Sequence, residues 1–410
     1  MIRSVALISL HTSPLLQPGA ADAGGMNVYL HELAQTMADR GIRVVVFTRR
    51  TTPDQPECVE YRPGYRVVHV DAGPPRPLPI SELPPYVATF ADAAITWTHE
   101  SKTTFDVIHS HYWLSGWAGV LMKEVLDVPL ANSFHTLGRV KDRARRDDEP
   151  LSSRTRTLTE EEVIARSNCV IASTPHEFED LLQHYGASPE RLCTSLPGVS
   201  HLIFSPGDKT VARDWLGLGD EPIVLFVGRI QPLKGLDIAV RALAKLPERV
   251  AAGEGPPRLV VVGGPSGPAG ENELDHIRAL AADLGVSQRV SLLDRQPHAH
   301  LAAFYRAADV LVMPSRSESF GLVAAEAQAC GLPVVASAVG GLAFVVSEGV
   351  SGVLVEGHDP AGYADALVHV LDDPGVANRL RSGAVEHAEQ FSWNATANRL
   401  LELYSGISGR

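Results

Sequence analysis

Short apolar runs recur along the chain, each closed by glycine, proline or small polar residues and each followed by helical spacing. VALISL (5–10), VVVFT (44–48), DVIHSHYW (106–113) and NCVIAST (168–174) form a first set, with a helix predicted from about Asn27 to Asp39. Short apolar strands broken by helices imply parallel sheets covered on both faces. Proline and glycine then cluster in LPGVSHLIFSPGDK (196–209), where a linker is expected at about 198–208. The pattern restarts as IVLFVG (223–228), LVVVGG (259–264), VSLL (290–293), VLVMPS (310–315), PVVAS (333–337) and GVLV (352–355). The fold class is therefore α/β, with two Rossmann-like domains, 1–200 and 201–388, facing a cleft. The last stretch, 389–410, carries Ala397, Leu400, Leu401 and Tyr404 at helical spacing and is a candidate to cross back to the first domain. Ligands of such sheets sit beyond the carboxyl ends of the strands, so motifs at those ends carry the functional weight.

Composition narrows the classes. At 410 residues the chain exceeds one ordinary core. A net charge of -12 argues against nucleic acid or an anionic membrane as the main partner. The four cysteines, Cys58, Cys169, Cys193 and Cys330, are widely spaced and form no Cys-x-x-Cys, so neither a zinc knuckle nor a disulfide framework is expected, and a reducing cytoplasm fits. The apolar run near the start reads as a buried strand rather than a leader, and no stretch approaches the roughly 20 residues of a membrane span.

Four motifs stand at strand ends. Gly24-Gly25, ahead of the Asn27 helix, would let backbone approach a phosphate at a helix N-terminus, or is a plain loop turn. The strict Gly-x-Gly-x-x-Gly fingerprint is absent, against a dehydrogenase. Gly228-Arg229-Ile230-Gln231-Pro232-Leu233-Lys234 puts two cations in one loop, where they could converge on a diphosphate or remain solvated. Glu318 and Glu326 stand eight apart in ESFGLVAAE; if mostly helical, that is roughly 12 Å along the axis, too far for a glycosidase dyad at about 5–9.5 Å. Two separate hydrogen-bonding roles fit better, and a helix-start acid plus a surface acid is the plain alternative. His109, His111 and His135 could in principle hold zinc, but no carboxylate motif supports it and no metal is expected. His298 and His300 read as a surface pair at a helix start.

Together HTSPLLQPG, GGMNVY, IHSHYWLSG, FHTL, FVGRIQPLKG, VVGGPSG, VLVMPSRSESFGLVAAEAQA and VGGL make the chain resemble, nearly end to end, the family-4 retaining glycosyltransferases of the GT-B fold. Within them it is similar to the mycothiol-pathway branch that moves N-acetylglucosamine from UDP to inositol phosphate. The resemblance implies a nucleotide-diphosphate sugar, UDP- or GDP-linked, as donor substrate, with no cofactor. It implies that Gly24, Gly25 and Gly228 lie by the phosphates and that Arg229 and Lys234 hold the diphosphate. Glu318, with Ser319, Phe320, Gly321 and Leu322, would bind the sugar, Glu326 the ribose, His135 the 6-hydroxyl, and the backbone near Gln296 the base. The catalytic set is then His135, Arg229, Lys234 and Glu318, acting by same-face substitution without an enzyme nucleophile.

The acceptor half departs from the pattern. Asn27, Tyr112, Thr136 and Arg156 match the residues that face a small polar acceptor, but the lysine expected among them is Ile80, with Arg76 four residues away as a substitute cation. Ser200 stands where an Asp is frequent. Losing a cation weakens a phosphate cradle by roughly 1.5–3 kcal/mol. The expectation therefore leans to an unphosphorylated acceptor of specialised metabolism, an aminocyclitol or thiol as in lincosamide antibiotic assembly. Inositol phosphate is the alternative and a nucleotide-sugar epimerase a remote one. A homodimer is left open.

Overall fold

The computed structural model describes residues 2–17, 23–147, 149–265 and 267–409. The first sheet holds β1 (Ser4–Ile8), β2 (Arg43–Arg49), β3 (Cys58–Arg62), β4 (Tyr65–Val70), β5 (Val107–His111), β6 (Leu130–Ser133), β7 (Cys169–Ala172) and β8 (Leu192–Thr194). Its order is β3-β4-β2-β1-β5-β6-β7-β8, parallel except for the antiparallel β3 at the edge. The second sheet holds β9 (Ile223–Val227), β10 (Arg258–Val262), β11 (Val290–Leu293), β12 (Val310–Met313), β13 (Val334–Ser337) and β14 (Gly352–Val355), all parallel, in the order β11-β10-β9-β12-β13-β14. Both are doubly wound: the strand order reverses beside β1 and beside β9. The central strands are buried on both faces, as their unbroken apolar runs require.

Three elements escaped the apolar pattern. β3 alternates charge with small apolar residues and is mostly exposed, β4 is its hairpin partner, and β8 has only three residues. The cysteine expectation also needs correction. Cys169 and Cys193 are joined, with Cα atoms 6.2 Å apart. They are 24 residues apart in sequence, but β7 and β8 run side by side with Ile171 opposite Cys193, which brings Cys169 within diagonal reach. Cys58 and Cys330 are free. Among the described residues no helix is long and apolar enough to cross a membrane.

The chain leaves the first sheet through Leu196–Val199 and returns at Ser392, which forms a parallel bridge with Val199. From there the Trp393–Ser408 helix, capped by the Ser392 hydroxyl, lies on the first domain. Trp393, Ala397, Leu400 and Tyr404 are buried in one cluster with Val5, Leu7, Tyr29, Leu33 and Ile171. Thr396 Oγ1 donates to the Leu196 carbonyl at 2.7 Å and Arg40 donates to Asn394 and Asn398. Tyr404 Oη meets His109 Nδ1 at 2.6 Å, on β5 of the first sheet.

Removing this anchor should loosen the first domain. Tyr404→Ala is expected to cost about 3–5 kcal/mol, as for other buried aromatics, and Tyr404→Phe, which deletes only the hydrogen bond, about 1 kcal/mol. Urea denaturation followed by tryptophan fluorescence measures both; an unmoved midpoint for Tyr404→Ala would show that the helix is not docked.

Candidate active site

The carboxyl ends of both sheets face each other. Backbone strain marks the first-sheet side. Tyr112, directly after β5, has φ 81°, and His135, just after β6, has φ 60°. Positive φ in bulky residues costs on the order of 1–3 kcal/mol each and persists where the surroundings over-determine it. Tyr112 is held by its amide to the Ser133 carbonyl at 2.8 Å. His135 is held from the opposite domain, because the Ser319 hydroxyl donates to its carbonyl. Ser319 is gripped a second time: its own carbonyl accepts from Ser173 Oγ at 3.3 Å, and Ser173 in turn binds the buried Glu177 carboxylate. Burial raises the pKa of Glu177 against the lowering effect of those Ser173 bonds.

On the second-sheet side, Lys234 Nζ lies 2.5 Å from Glu318 Oε2. Arg316 locks the loops that carry them. Its guanidinium binds Asp237 with two bonds of 3.0 and 2.7 Å and donates to the Pro232 carbonyl at 2.5 Å, while its amide donates to Leu233 O. Gly235 between them must be glycine: its φ is 69° and a Cβ would strike the Pro314 carbonyl. Arg229 reaches across the cleft to Gly24; a Cβ there would sit 3.6 Å from Arg229 Nε. The amides of Gly25 and Met26, at the start of the Gly25–Ala38 helix, make no hydrogen bond among the described residues and are open to an anion.

The acidic pair is not a helical pair. Only Leu322–Ala329 is helical, and Gly321, with φ 104°, turns the chain ahead of it. Glu318 therefore lies in the loop with Lys234. Glu326 is buried rather than a surface acid: it binds His298 Nε2 at 2.7 Å and the Tyr305 hydroxyl at 3.0 Å, using one carboxylate oxygen for each. Each oxygen keeps a lone pair for a further donor. His298 is correspondingly half-buried and not a surface residue, whereas His300 is exposed. Gln296 lies on the same loop, its side chain turned to the Asp294 carbonyl.

The histidines form a stack with hydrogen-bond partners of their own. His109 lies 4.1 Å from His111 between ring centroids, His109 Nε2 meets Ser133 Oγ at 3.0 Å, and His111 Nδ1 meets His135 Nε2 at 2.9 Å. Burial lowers the pKa to about 3 for His109 and about 4 for His135, so both are neutral at ordinary pH. Among the described residues no group of side chains is arranged to hold a metal ion.

On the first-sheet side Arg156 is buried. Its Nε binds Glu160 at 2.8 Å, its Nη2 binds the Thr136 carbonyl and hydroxyl at 2.9 and 3.2 Å, and its Cζ stands 5.2 Å from the Tyr112 ring centroid. Nη1 has no protein partner among the described residues. Asn27 is placed differently from its expected role. It is 1% exposed and all its polar groups are engaged: Oδ1 with the Gly24 amide, Nδ2 with Thr12 Oγ1 and the Ser13 carbonyl. It shapes the two loops and has no group left for an acceptor. Ile80 is half-buried against the first-domain core. Arg76 is exposed, 3.9 Å from Glu82, and its loop is held by the buried Arg49 through the Pro74 and Arg76 carbonyls. A cavity of about 460 Å³ opens beside Glu318 and Ser319, bounded by Val140, His176, Asp180 and Gly340; neither Arg229 nor Lys234 lines it.

Comparison with known proteins agrees with this geometry. The family described as Glycosyl transferases group 1 matches residues 208–387, and the Glycosyl transferase 4-like domain matches residues 24–198. A relative from Corynebacterium efficiens, named D-inositol 3-phosphate glycosyltransferase, is 44% identical over 98% of this chain and 95% of its own. One from Catenulispora acidiphila, named D-inositol 3-phosphate glycosyltransferase 2, is 48% identical over 98% and 95%. Among solved structures, sucrose-phosphate synthase from Thermosynechococcus elongatus is 33% identical, covers 99% of both chains and superposes with a TM-score of 0.91.

The Glu326–His298 contact has a pH signature. Burial lowers the His298 pKa, but the Glu326 carboxylate outweighs it and the net shift is upward from 6.5. A raised pKa stabilises the fold fully below the unfolded value and loses that contribution as pH climbs through the folded one. NMR titration should place His298 above 6.5 in the wild type and below it in Glu326→Gln; equal midpoints would mean the pair does not form.

Proposed function

The chain belongs to the group 1 glycosyltransferases, and we propose that it transfers N-acetylglucosamine from UDP to inositol 3-phosphate, the sugar-transfer step of mycothiol assembly. The observation that carries the acceptor choice is Arg156. It is a buried guanidinium stacked on Tyr112, fixed by Glu160 and Thr136, with Nη1 directed to no protein group. A positioned guanidinium with donors to spare suits a phosphate. The relatives named for inositol 3-phosphate, 42–48% identical over 98% of this chain, favour the same acceptor. The antibiotic-type acceptor expected from Ile80 gives way, since one apolar side chain packed on the core removes a single contact from a cradle that still has Tyr112, Thr136 and Arg156.

The donor would lie between Arg229 and Lys234 at the diphosphate and Glu318 at the sugar, with its phosphates near the open amides of the Gly25 helix. We read the transfer as retaining and metal-independent. The acceptor hydroxyl attacks the anomeric carbon on the face from which the diphosphate departs, a diphosphate oxygen takes its proton, and the C–O bond to the leaving group breaks as the new one forms. Arg229 and Lys234 stabilise the charge developing on that leaving group. Neutral His135 serves as a hydrogen-bonding group to the sugar rather than as an acid. Neither Glu318 nor Glu326 is needed as nucleophile, and each is already engaged elsewhere.

Wild-type enzyme given UDP-N-acetylglucosamine and inositol 3-phosphate should form the glycoside with its anomeric configuration kept, with full activity in chelator; turnover of an unphosphorylated cyclitol or thiol in preference would overturn the acceptor choice. Lys234→Ala and Glu318→Ala should each lower kcat on the order of 100-fold or more with unchanged melting temperature, and near-normal rates in either would remove the donor-site assignment.

A further inference from the structure

His11 lies in the loop after β1 and is absent from the roles assigned above. Its neighbours are all tied down. Ser9 Oγ donates to the Thr12 carbonyl at 2.6 Å, the Leu10 amide donates to Ser115 Oγ at 3.0 Å, and Asn27 holds Thr12 and Ser13. Loops fixed at every neighbouring residue hold a side chain with little reorganisation, which is what a recognition site requires.

The ring so placed lies 4.8 Å from the Tyr112 ring, and Arg156 stands over the same tyrosine at 5.2 Å. Asn27 links its loop to Gly24, where Arg229 reaches across the cleft. His11 thus stands between the cation of the acceptor half and the cation of the donor half. Its Nδ1 is buried with no hydrogen-bond partner, and its Nε2 has none among the described residues. A buried polar atom left unmatched is unfavourable, so a ligand atom is its natural complement.

We propose that His11 is a specificity-determining residue of the acceptor half, its imidazole donating a hydrogen bond to the acceptor phosphate alongside Arg156 and Tyr112. The inference rests on the reading of a phosphorylated acceptor and adds to it the group that completes the cradle without Ile80. Burial, then the charges of His135, Arg229 and Arg156, push the His11 pKa to about 3. A third cation is thereby avoided, while a neutral ring still offers one N–H to an anion whose charge the two arginines balance.

Kinetics of His11→Ala and His11→Asn with inositol 3-phosphate and with unphosphorylated inositol test this, alongside calorimetric UDP affinity. For His11→Ala, kcat/KM for the phosphorylated acceptor should fall about 10- to 100-fold, mainly through KM, the range for a lost hydrogen bond to a charged group. The preference for the phosphorylated acceptor should shrink by the same factor, and UDP affinity should stay within about twofold. His11→Asn, which restores a neutral donor, should recover part of the loss. A wild-type preference for the phosphate that His11→Ala leaves intact would overturn the role of His11 alone, as would equal losses for both acceptors or a matching loss of UDP affinity. A wild type with no phosphate preference would overturn the acceptor reading itself and this inference with it.

Discussion

Burial of one face of the Trp393–Ser408 helix governs how the two sheets meet. The helix follows the second domain in sequence and packs into the first, so the chain crosses between domains twice, side by side at Val199 and Ser392. Two adjacent crossings restrict relative motion to rotation about a short line, where one linker would permit more. The same helix supports the cleft directly, since Tyr404 fixes His109, which stacks on His111, which binds His135. A hydrophobic contact far from any ligand is thereby connected to the residue that faces the opposite domain through Ser319.

The electrostatics of the cleft run against those of the chain. The protein carries a net charge of -12, yet Arg156, Arg229 and Lys234 converge on the cleft while the histidines around them are held neutral. Buried Arg156 is partnered by Glu160 and Thr136, and half-buried Lys234 by Glu318. A low-dielectric surrounding strengthens the pull of such cations on an anion relative to water.

Much of this was legible in the chain. The parallel sheets follow from unbroken apolar runs, and the cationic loop at the cleft from Arg229 and Lys234 placed after a strand end. What stayed hidden depended on contacts between distant segments. Spacing alone left a surface position open for Glu326, because nothing local reveals that Tyr305 and His298 fold over it. Asn27 reads as a ligand-facing residue until its three hydrogen bonds are traced to Thr12, Ser13 and Gly24. The Cys169–Cys193 proximity exists only because two short strands became neighbours. The positive φ angles of Tyr112 and His135 could not be read from the sequence, since a tyrosine rarely adopts that region and a histidine, though enriched there, adopts it only in a small minority of cases. His11 and Arg316 stood within recognised segments, but their importance lies in what their neighbours leave unsatisfied or lock in place.

The ion pair between Lys234 and Glu318 carries one more consequence. In the empty enzyme each residue occupies its partner's attention, so the loops retain their shape without a ligand. On the proposed reading, a donor that engages both would have to separate them, replacing the pair with its own phosphate and hydroxyls. The nucleotide left after transfer would satisfy the lysine but not the carboxylate, and closing the pair again would compete with the nucleotide for the lysine. On that reading Glu318 would act as a displacing group that favours release of the spent donor over retention and resets the site for the next cycle.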